Sequence, residues 1–109
     1  MQTRRFERVS FFCKLELTPL PHGAAQPAQS TDLSLGGVGA VMKANLQVGQ
    51  LTNVTFYFND PAHGEIKDQT VGRVVHFDAD TDSNRIGIQF LSPLIESDHA
   101  RLVDKLANA

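Results

Sequence analysis

The sequence holds a single cysteine, Cys13, so no internal disulfide can staple the chain. It has no run of about 18 apolar residues, which excludes a membrane-spanning helix of ordinary length. The first residues carry arginines but lack the apolar stretch and small-residue cleavage site of a secretory signal. Together these absences predict a protein of the reducing cytoplasm, with no membrane insertion. Missing too are a phosphate-binding loop, a nucleophile–base pair and clustered carboxylates, so no enzyme is expected. His22, His63, His76 and His99 are too scattered for metal-ligand spacing. Asp78, Asp80 and Asp82 lack the glycine and terminal glutamate of a calcium loop and read as a solvated connection. No metal or other cofactor is therefore expected.

What is present fits one domain: 109 residues, 41% hydrophobic and 20% charged, with no repeat or linker. The formal net charge of −2 is unevenly spread. Residues 1–14 set Arg4, Arg5, Arg8 and Lys14 against Glu7 alone, while the remainder is acidic. A basic arm on an acidic body points to a local anion site rather than the broad basic stripe of a nucleic-acid binder, so no nucleic-acid partner is expected.

Val9, Phe11, Cys13, Leu15 and Leu17 share one face, with Ser10, Lys14 and Glu16 on the other, and predict one half-buried strand. Thr18 to Ser30 reads as a proline-rich loop, and a short strand follows over about 29–33. The turn Gly36-Gly37-Val38-Gly39 leads back to extended chain at 40–42, and Val48-Gly49-Gln50 turns again. Val54, Phe56 and Phe58 share a strand face, and Asn59 to Gly64 closes that strand. Segments 70–77 and 85–90 read as a hairpin pair. Near the C-terminus Leu94, Ile95, Leu102, Val103 and Leu106 fit one face of a helix over about 96–108, with Ser97 as N-cap. Phe11, Phe56, Phe58, Phe90 and Cys13 are assigned to the core, and His76 to packing. Arg73 is either a barrel-rim residue or a ligand contact. The sum is a small antiparallel barrel with a terminal helix.

Two motifs stand apart from this pattern. Arg4 and Arg8 form R-x-x-x-R, and Asp32-Leu33-Ser34-Leu35-Gly36-Gly37 reads D-x-S-x-x-G. In this order, with Gly49, the strand Gly72-Arg73-Val74-Val75 and the ending Ile86-Gly87-Ile88-Gln89-Phe90, the chain resembles the PilZ domain family over nearly its whole length. The resemblance implies an all-β fold, a six-stranded antiparallel barrel with a C-terminal α-helix. Residues 1–8 would form a flexible switch arm, 9–91 the barrel and 94–108 the helix of a single domain. It also implies a receptor for cyclic di-GMP, with Arg4 and Arg8 as switch arginines and Arg5 as a further candidate. Asp32, Ser34, Gly36 and Gly37 would supply the barrel half of the site.

The chemistry is coherent. Arginine pairs with phosphate and guanine acceptors and stacks on bases, and a carboxylate accepts from guanine N1–H and the N2 amine. Serine both donates and accepts, while glycine allows positive φ and close approach of backbone to ligand. Taken singly, the same residues suit a solvated arm and an ordinary turn. The implied partners are cyclic di-GMP and an unidentified downstream protein in motility, exopolysaccharide or pilus control. The chain would be a monomer or weak dimer. The rival expectation is an adaptor that keeps the fold without binding the nucleotide.

Overall fold

The computed structural model describes residues 7–107, so Arg4 and Arg5 lie outside the described residues. Seven strands precede one helix: β1 (Val9–Ser10), β2 (Lys14–Pro19), β3 (Gln26–Leu33), β4 (Gly37–Met42), β5 (Leu51–Asp60), β6 (Gly64–Asp78), β7 (Asn84–Phe90) and α1 (Glu96–Ala107). Six of them close an antiparallel ring in the order β3-β2-β5-β6-β7-β4, sealed by pairing of β4 with β3. β1 adds a short seventh strand beside β3.

Period-two alternation sends one side of each strand into the barrel. Leu15 and Leu17, Val38, Ala40 and Met42, Val54 and Phe56, Val74, and Ile86, Ile88 and Phe90 all meet there. Phe56 and Phe90 are buried and touch edge to face. Phe11 and Phe58 are only partly buried but form a second edge-to-face pair with centroids 5.5 Å apart. Cys13 is buried as expected, and burial, the largest influence on it, raises its thiol pKa above the ordinary value.

The expected single strand over 9–17 is broken. Ser10 pairs with Asp32 and Lys14 with Gln29, so three residues oppose two. Ser30 fills the irregularity: its hydroxyl donates to the Phe11 carbonyl at 2.6 Å and accepts from the Cys13 N–H at 2.9 Å. A buried serine thus replaces the ladder bonds that the bulge removes.

The proline-rich loop is also shorter than 18–30. β2 runs to Pro19 and β3 begins at Gln26, since Pro27 sits where the pairing tolerates it. Likewise β6 extends well before residue 70. Its first half, Glu65 to Gln69, alternates without a strong apolar side, so hydropathy conceals it. That half pairs with β5 and meets α1, where the His99 ring contacts Asp68 at 3.0 Å.

Helix α1 spans its expected range with a kink at His99 (φ −135°, ψ 47°). Ser97 lies inside the first turn rather than ahead of it. Leu94 and Leu102 are buried, Val103 and Leu106 partly so, but Ile95 is 52% exposed and does not join the packed face. Lys105 reaches Asp60 at 3.7 Å and lies over the Phe58 ring, which fixes the helix across the Phe11–Phe58 end of the barrel. Among the described residues no helix is long and apolar enough to cross a membrane.

Candidate functional site

A groove of about 960 Å³ crosses the outer face of β3, β4, β7 and β6. Register explains it. Asp32 pairs with Gly39, Gly39 with Gly87, and Gly87 with His76, so one transverse row has two side chains missing at its centre. Interior strand glycines weaken a sheet and mark places where something approaches closely.

Arg8 stands at one end of this row. Its Nη1 donates to Asp32 Oδ2 at 2.8 Å, and both side chains keep partial solvent access at 42% and 32%. Thr31 Oγ1 donates to the other carboxylate oxygen at 3.2 Å. The carboxylate leans over Gly39, in space that any side chain there would contest. The structure therefore joins residues from the two sequence motifs, 24 positions apart, at the mouth of one groove.

Ser34, Gly36 and Gly37 also line the groove. The Ser34 hydroxyl accepts from the N–H groups of Gly36 at 3.2 Å and Gly37 at 3.1 Å, and its own N–H donates to the Gly37 carbonyl at 2.9 Å. Its polar capacity here is engaged in shaping the β3–β4 turn. The expected positive φ at Gly36 and Gly37 is not found; positive φ occurs at Gly49 (95°) and Gly64 (76°). Glycine is needed at 37 for another reason: a β-carbon would lie 2.4 Å from the Ile88 carbonyl oxygen across the β4–β7 pairing.

His76 does not pack in the core. A bulge between Val74 and His76 puts an extra residue in β6, so Val75 and His76 both face outward, and the His76 side chain is 62% exposed in the groove wall. Arg73 Nη1 donates to the Gly49 carbonyl at 3.0 Å, and the residue does not line the groove. Residues absent from the sequence-derived site but present around the groove include Gly39, Gly87, Val75, Arg85 and Gln89. Arg85, Gly87 and Gln89 alternate with the buried Asn84, Ile86, Ile88 and Phe90, so the β7 pattern marks them as outward, but only the register brings them opposite Asp32.

The described residues form a small closed barrel, capped by a helix and grooved beside an Arg–Asp pair. The chain matches the family model described as PilZ domain over residues 2–108, and it belongs to that family. No curated protein matches it. Among solved structures it is similar to the Bacillus subtilis inhibitor of motility MotI/DgrA (TM-score 0.77, 15% identity, 99% of this chain and 53% of that one). It is also similar to the PilZ domain of Escherichia coli YcgR with c-di-GMP (TM-score 0.69, 22% identity, 98% and 93%). A third is the K. pneumonia MrkH–c-di-GMP complex (TM-score 0.64, 19% identity, 99% and 52%). At these identities the likeness is one of fold. The chain spans about half the length of MotI/DgrA and of MrkH.

Proposed function

We propose that this domain is a cyclic di-GMP receptor that binds the nucleotide on the groove beside Arg8 and Asp32. The observation that carries the proposal is the 2.8 Å Arg8–Asp32 pair, which unites both motifs at the edge of a groove large enough for a nucleotide. Family membership supports it, as do the c-di-GMP complexes of YcgR and MrkH.

The ligand is a dianion with two guanines. On arrival its phosphates compete for the Arg8 guanidinium, and a guanine N1–H and N2 amine take up the Asp32 carboxylate. Arg4 and Arg5, a few residues upstream, add further guanidinium groups, so that the arm closes over the ligand. Ser34 and Gly37 hold the turn that fixes Asp32 and the β4 edge. Such a domain is a regulatory receptor rather than an enzyme, and it passes the signal to a partner protein through the rearranged arm. Control of motility, biofilm or exopolysaccharide is the process class to test.

Calorimetric titration with cyclic di-GMP, with GTP and cyclic di-AMP as controls, tests the proposal. Selective binding at micromolar affinity or better is expected, strongly weakened in Arg8→Ala and Asp32→Ala variants that still melt cooperatively. Absence of binding by calorimetry at several temperatures and by thermal shift would refute it, and the adaptor role would then lead.

A further inference from the structure

Arg85 enters neither motif, yet it lines the groove, is exposed, and its guanidinium has no hydrogen bond or ion pair among the described residues. It sits two positions before Gly87 on the outward side of β7, and Gln89 sits two positions after. Each is displaced along the strand by about 6.6 Å from the bare centre of the groove. Asp32 and His76 flank the same centre across the strands, at the two ends of the Asp32–Gly39–Gly87–His76 row. The paired glycines thus make a floor without side chains, bounded on four sides by polar residues of different chemistry. Asp32 and Arg85 occupy adjacent sides.

Guanine has a matching arrangement. Its N1–H and N2 amine donate on one edge, and O6 and N7 accept on the adjoining edge. A carboxylate complements the first and a forked guanidinium the second. Building on the receptor function proposed above, we propose that Arg85 is a specificity-determining residue that reads the O6/N7 edge of a guanine seated flat over Gly39 and Gly87, while Asp32 reads its N1/N2 edge. Adenine places an N6 amine where guanine has O6, so Arg85 faces a donor with donors and one contact is lost. Arg85 therefore favours cyclic di-GMP over cyclic di-AMP.

The test is calorimetry of the whole chain and its Arg85→Gln, Arg85→Lys and Arg85→Ala variants against cyclic di-GMP, cyclic di-AMP and cyclic di-IMP. Hypoxanthine keeps O6 and N7 but lacks the N2 amine. Arg85→Gln, whose amide complements adenine N6 and N7, is expected to reduce the preference for cyclic di-GMP over cyclic di-AMP by about tenfold or more. Arg85→Lys loses the fork but can still donate to O6 and N7, and is expected to keep more of the preference than Arg85→Gln. Cyclic di-IMP should weaken by the same factor as cyclic di-GMP in each variant. Equal weakening of the guanine and adenine ligands would make Arg85 a phosphate contact and overturn the proposal, as would unchanged affinities. Failure of the unsubstituted chain to bind cyclic di-GMP would instead remove the receptor function, and this role with it. Thermal melting separates misfolding from lost recognition.

Discussion

Asp32 Oδ1 lies 2.0 Å from the position that a β-carbon on Gly39 would occupy. The obstructing atom is the end of a flexible side chain, so Gly39→Ala should move the carboxylate rather than the barrel. Displacement costs Asp32 its contacts to Arg8 and Thr31. The expected result is nucleotide affinity reduced by about tenfold, roughly 1.4 kcal/mol, with little change in melting temperature. Gly37→Ala is the contrasting case, because there the obstacle is the Ile88 backbone oxygen at 2.4 Å. It should destabilise the fold by about 1–3 kcal/mol, as overpacking does, measured by urea denaturation. Equal stability losses in the two variants would contradict this division.

Leu102 is fully buried and anchors α1 on the barrel, whereas Ile95 is 52% exposed. Leu102→Ala should cost about 2–5 kcal/mol in chemical denaturation, and Ile95→Ala within about 0.5 kcal/mol of zero. Comparable effects at both positions would show that the helix docks by a different face.

Asp60 makes the clearest contribution to acid stability. Its hydrogen bond from His63 holds its carboxyl pKa below the ordinary value of 3.8, with the charges of His63, Lys105 and Arg101 acting the same way against partial desolvation. A depressed native pKa means the unfolded chain binds the proton more readily. The stabilisation is therefore present above pH 3.8 and is lost as pH falls through the native pKa. Urea denaturation between about pH 5 and pH 2 should show the advantage over Asp60→Asn shrinking as acid is added. A difference that stays constant across that range would exclude the pair as its source.

Cys13 has its thiol enclosed and its pKa raised, first by burial, against the opposing hydrogen bonds of Ser30 and the Tyr57 backbone. Labelling by a disulfide reagent should be slower in the native protein than in urea by roughly two orders of magnitude or more. Equally fast labelling would mean that β1–β2 opens readily at the Ser30 bulge.

Most of the barrel was legible because its strands alternate cleanly: Leu15 and Leu17, Val54 and Phe56, and Ile86, Ile88 and Phe90 are all buried where periodicity puts them. Legibility failed where that signal is weak or shifted. The first half of β6 carries Glu65, Lys67, Asp68 and Gln69, and its strand character comes from pairing with β5. His76 was misplaced because a bulge changes parity without any mark in hydropathy. Arg8 and Asp32 were legible as motif members, but their contact is a product of β3 folding back beside β1. Gly39 and Gly87 were visible as letters and not as a floor, since that meaning arises only when β4 and β7 pair.

Closure of β3 on β4 has a further consequence. Every strand of the six-membered ring has hydrogen-bonded neighbours on both sides over part of its length. Among the described residues the open sides include β1 and the first half of β6, which pairs with β5 alone and carries Glu65, Lys67 and Asp68. The first edge is short and the second is charged, and both features make a poor template for domain-swapped or amyloid-like growth. Longer templates become available only when the hoop tears open, which links the colloidal behaviour of this protein to its global stability.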